Sequence, residues 1–121
     1  MPRYMISFND GDMNIPESDW KSVGEAAHAV MREGVAAGIW ESGGGFSGFN
    51  PNVVTGDGKV TVGPLAHSEK HIGGFTIVNV ANESEAFEWA RKIAISCRCP
   101  QEVRRIMDDE VGDAIYKEFG R

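Results

Sequence analysis

The chain has 121 residues, 41% hydrophobic and 25% charged, with a formal net charge of -6. Those values fit one globular domain that can bury a single core without disulfide or metal staples. The negative field repels phosphate, and the only Lys/Arg doublets, Arg91-Lys92 and Arg104-Arg105, make no basic patch, so neither nucleic acid nor a membrane surface is expected as a partner. No apolar run approaches the ~20 residues of a membrane helix. Met1-Pro2-Arg3 leads directly into Tyr4 to Phe8, which is too short for a secretory apolar region, and the expected location is cytoplasmic.

Arg3 to Phe8 reads as a first strand, with Tyr4, Ile6 and Phe8 on one side and Met5 and Ser7 on the other. Asn9-Asp10-Gly11-Asp12 ends it with turn chemistry. Pro16 with Glu17 and Asp19 marks a helix entrance. Trp20, Val23, Ala27, Val30 and Met31 then recur at helical spacing to about Ala37, where Gly38 stands as a C-cap glycine. Gly24 and Gly34 either weaken this helix by roughly 1 kcal/mol each or mark close packing on the sheet.

Ile39 to Ser42 begins a second strand, interrupted by Gly43-Gly44-Gly45. The glycines read either as a bulge or close backbone approach, or as a flexible loop. Val53 to Thr55 and Lys59 to Val62 flank Gly56-Asp57-Gly58, a hairpin signal. Phe75 to Val80 is a further strand. Asn82, with Glu85 three positions later, starts a second helix with Phe87, Ala90, Ile93 and Ala94 as its stripe, and Pro100 lies beyond its end. Val103 to Met107 reads as the last strand, and an acidic tail over 108–121 repeats Val111, Ile115 and Phe119 on one weak amphipathic face.

The order β-α-β-(hairpin)-β-α-β predicts an α+β fold, a ferredoxin-like split βαβ with an inserted β-hairpin, over residues 1–107. Such a fold leaves one sheet face bare. Phe75 and Ile77 on one side of their strand, with Val78 and Val80 on the other, make both faces apolar. A sheet-to-sheet homodimer is the simplest cover.

The run Val62-Gly63-Pro64-Leu65, a charged linker, then Ile72-Gly73-Gly74-Phe75 resembles the signature of the YCII-related family, DGPF-type branch. Tyr4-Met5, Ala86 to Ala90 and Cys99-Pro100 add further matches, and the resemblance covers about residues 3 to 107. The chain departs from the pattern where Val62 replaces Asp, Leu65 replaces Phe, His67 stands where an acid is common, and Glu69-Lys70 reverses the usual order. The tail after Met107 extends past the usual family end. The resemblance implies a dimer of the dimeric α+β barrel type. Some barrels of that type are small-molecule isomerases or oxygenases, and a His–Asp pair has been suggested for acid–base chemistry in the YCII branch. DGPF-type domains also occur beside sigma-factor-like regulators.

His28 is the main candidate for chemistry, since imidazole titrates near neutrality and His28 borders the first helix's apolar stripe. The resembled branch carries a histidine on this helix. The alternative is a half-buried histidine bonded to backbone. Asp10, Asp12 and Glu41 lie at strand ends from which a carboxylate could pair with His28, or they are solvated turn residues. His67 and His71 are four apart around Glu69, weak candidates for ligand binding, and no third ligand completes a metal site. Cys97 and Cys99 are too close in sequence for an unstrained disulfide and read as reduced thiols. No metal and no cofactor is expected. The residues point to binding of, or acid–base chemistry on, a small organic molecule near the dimer seam, with a non-catalytic regulatory or interaction module as the alternative.

Overall fold

The computed structural model describes residues 1–66 and 68–121. Strand β1 (Arg3–Asn9) follows its alternation, with Tyr4 at 3% and Ile6 at 1% exposure on the face that packs against helices. A 3-10 turn (Glu17–Asp19) leads into helix α1 (Trp20–Ala36). The start of α1 has no side-chain cap; Trp20 Nε1 donates to the Ile15 carbonyl at 3.1 Å instead, and the Asp19 carboxylate is held by Arg98 at 2.7 Å. The helix ends at Gly38, whose φ of +75° a residue with a side chain rarely adopts. The two glycines inside α1 differ. A Cβ at Gly34 would lie 2.9 Å from Trp40 Cε3, so Gly34 permits close packing, whereas a Cβ at Gly24 would meet nothing within 4 Å.

Strand β2 (Trp40–Gly45) continues straight through the glycine triplet. Trp40 pairs with Val78 and Ser42 with Ile77, so Glu41 is the extra residue of a bulge. Strands β3 (Asn52–Val54) and β4 (Val60–Val62) form the expected hairpin as a separate two-stranded sheet. In its turn, the Thr55 hydroxyl and then the Lys59 N–H hold the Asp57 carboxyl below the usual carboxylate range.

Strand β5 (Ile72–Asn79) starts earlier than the apolar run suggested, because Gly74 pairs with both Phe8 and Gly45 and Ile72 pairs with Asn9, with Gly73 the extra residue of a bulge between them. Helix α2 (Glu83–Cys97) is capped as its sequence predicts: Asn82 Oδ1 accepts from the Glu85 N–H at 2.9 Å, and Glu85 reaches back to the Ala81 N–H at 3.1 Å. Strand β6 (Glu102–Arg105) and helix α3 (Glu110–Glu118) complete the chain.

The four-stranded sheet has the order β2-β5-β1-β6, with every neighbouring pair antiparallel. Helices α1 and α2 pack on the face that carries Tyr4, Ile6, Val78 and Val80, and Ala86, Ala90 and Ile93 close the core from α2. The architecture is therefore mixed α+β. The opposite face carries Arg3, Met5, Ser7, Phe75 and Ile77 by alternation along the paired strands. Among the described residues, neither α3 nor the β3–β4 hairpin packs extensively on another element. No helix is long and apolar enough to cross a membrane among them either.

Candidate functional site

A cleft of about 310 Å³, open on one side, lies between the two long helices and the sheet. The sheet contributes Ile6, Phe8, Trp40, Thr76 and the bare backbone of Gly43 to Gly45. Helix α1 contributes Ala27, His28 and Met31; α2 contributes Ile93, Ser96 and Cys97. Met13 and Gln101 come from the connections that follow β1 and α2. Local sequence explains the placement. Positions 27, 28 and 31 share one face of α1 by i, i+3 and i+4 spacing, and 93 and 97 do so on α2.

The open floor is a glycine effect. Thr76 pairs with Gly43, and Gly74 with both Gly45 and Phe8, so Gly43 and Gly45 face the helices. A Cβ at Gly45 would have no neighbour closer than the Gly73 carbonyl oxygen at 4.0 Å. The side-chain space of Gly74 is instead occupied by the ring of Phe8, whose Cζ lies 2.5 Å from where a Cβ would be.

Among the described residues the wall holds no Asp, Glu, Lys or Arg, and its titratable groups are His28 and Cys97. His28 is exposed at the mouth, and its imidazole makes no hydrogen bond among the described residues. Burial pushes the Cys97 thiol up, opposed by the Ser96 hydroxyl. Cys99, just behind the wall, is pushed up to about 11, chiefly by burial and then by the charges of Cys97 and Asp12, against the Gln101 amide. Both thiols are free and protonated at neutral pH.

A pH dependence follows. The folded state holds the Cys99 proton after the unfolded chain has released it near 9.0, so stability is full below that value and falls as pH rises toward about 11. Urea midpoints measured from pH 8 to 11 are expected to fall more steeply in the native chain than in Cys99→Ala. Parallel profiles would refute the assignment.

The other described sequence candidates lie outside this wall. Glu41, displaced by the bulge, accepts from Arg3 at 3.2 Å, and Arg3 belongs to the face turned away from the helices. Asp10 opens the turn after β1, with its N–H on the His71 carbonyl at 2.8 Å, while Asp12 caps the same turn through the Asn9 N–H at 3.0 Å. The His71 ring lies tilted against Phe49 at a centroid distance of 5.3 Å. His67 lies outside the described residues. Among the described residues no group of three or more His, Cys, Asp or Glu is placed to hold a metal.

Cys97, Gln101 and Met13 are the wall residues that motif reading passes over. For Cys97 a signal existed: 86, 90, 93 and 97 continue one helical stripe, and Ala86, Ala90 and Ile93 are core residues. No protein-family model matches the chain, and no curated protein matches it.

Proposed function

We propose that this chain is a small-molecule-binding domain of ferredoxin-like split βαβ type, related to the YCII family's DGPF-type branch and working as a homodimer. The observation that carries the binding reading is the cleft: about 310 Å³, chiefly apolar, with polar groups at its rim and far end. That volume sits at the lower end of the ~300–1,000 Å³ typical of ligand pockets. The strand order β2-β5-β1-β6, with two helices on one face, supports the split βαβ reading. Phe75, Ile77 and Met5 on the other face support a second copy as its cover.

Binding is favoured over acid–base catalysis by the position of the carboxylates. Glu41 is engaged by Arg3, and Asp10 belongs to the turn after β1, so His28 stands at the cleft without either. The interaction-module reading has one specific observation in its favour. Val111, Ile115 and Phe119 of the α3 region are 73%, 51% and 75% exposed and form one unpartnered apolar stripe.

Purification under native conditions, followed by denaturation and mass spectrometry of the released small molecules, tests the cleft. A compound is expected from the native chain and its loss from Gly45→Val, whose Cβ would meet no atom closer than 4.0 Å and whose methyl groups extend over the floor. Identical profiles from both proteins would sink the reading. Light scattering should give a mass near twice 13.2 kDa, and a monomer at micromolar concentration would remove the dimer.

A further inference from the structure

We infer that the cleft takes an uncharged, flat aromatic molecule that presents a hydrogen-bond donor to the Ser96–Gln101 end, a phenol-like ligand. The inference rests on the cleft being the ligand site.

Shape carries the first half. On the helix side of β2 the chain offers bare peptide at Gly43 and Gly45, with open space above Gly45. The strip is bordered by the Phe8 ring, lying over Gly74, and by Trp40. Met13 and Met31 complete the apolar wall. Thioethers adapt their shape and make favourable contacts with aromatic rings. Flat peptide, two aromatic side chains and two thioethers suit a planar ring, which also gains from offset or edge contacts with Phe8 and Trp40.

Hydrogen-bond accounting carries the second half. Gln101 Nε2 donates to the Cys99 carbonyl at 3.3 Å and to Cys99 Sγ at 3.4 Å. Ser96 Oγ donates to the Ile93 carbonyl at 3.0 Å. Both side chains direct their donors into the protein, which leaves the Gln101 Oε1 and the Ser96 oxygen lone pairs to accept. A ligand hydroxyl or ring N–H satisfies them; an ether or carbonyl does not. A carboxylate or phosphate would leave water for a wall without Lys or Arg, at a desolvation cost that no fixed cation offsets.

Titration calorimetry on the full chain with 2-naphthol, 2-naphthoate, 2-methoxynaphthalene and decanol separates these features. We expect 2-naphthol to bind about tenfold more tightly than the methoxy compound, the effect of one hydrogen bond, and more tightly than either of the others. Gly45→Val should weaken 2-naphthol by at least about tenfold, the scale of a lost methylene-sized fit. Met31→Trp, which narrows the mouth from the surface of α1, provides a second blocking variant should Gly45→Val not fold. Tighter or equal binding of 2-naphthoate or decanol, blocked by the same variants, would overturn the ligand class and leave the cleft as a binding site. Binding of 2-naphthol that neither variant changes, or no binding of any probe, also overturns the inference. Loss of the co-purified compound in Gly45→Val then decides the cleft reading by itself.

Discussion

Ile6→Ala is expected to destabilise the chain by about 2–5 kcal/mol, read as a drop in the urea midpoint at unchanged slope. Ile6 sits on β1, an inner strand of the sheet, at 1% exposure, in register with Thr76 on one side and Val103 on the other. Paired strands on both flanks prevent the backbone from closing over the deleted atoms, and the hole adjoins the existing cleft. Ile6→Val removes one methylene and should cost about 0.5–1.5 kcal/mol. Equal costs for the two variants would mean that the centre of the core lies elsewhere.

The second large effect is a contrast between neighbours. In Gly43→Ala the new Cβ would lie 2.6 Å from the Phe75 carbonyl oxygen and 3.0 Å from the Thr76 Cα. Both are backbone atoms of the paired strand, so relief requires β2 or β5 to move, at about 1–3 kcal/mol. Gly44→Ala meets nothing within 4 Å. It is expected to change stability by no more than about 0.5–1 kcal/mol, in the stabilising direction, since glycine is the poorer residue inside a strand. Equilibrium denaturation of the two single variants checks this, and equal effects would contradict the β2–β5 register.

Elements with strong local signals were legible in the sequence. The alternation from Tyr4 to Phe8, the Asn82–Glu85 cap, the Gly38 terminator and the Asp57-Gly58 turn all state their conformation within a few residues. Features that depend on a distant partner were not. Glycine carries no strand preference, so the extension of β2 through Gly45 follows only from its pairing with Gly74, and the start of β5 at Ile72 only from its pairing with Asn9 of β1. The same holds for the site. His28 on the border of α1 was readable from helical phase, and it does line the cleft. A single bulge at Glu41 decides on which side of the sheet that carboxylate emerges, and no local pattern announces a bulge. Gln101 and Met13 reach the cleft from connections, where periodicity carries no information.

The strand order has a consequence in time. Strand β1 is made first, yet both of its hydrogen-bonding neighbours, β5 and β6, come from the later half of the chain. As the polypeptide leaves the ribosome, Tyr4, Ile6 and Phe8 have no sheet to join until Ile72 to Asn79 has emerged, and the second edge stays open until Glu102 to Arg105 follows. Such non-local closure slows folding relative to helical domains of similar size. In that interval an alternating apolar strand with two free edges is the segment most exposed to pairing with the wrong chain.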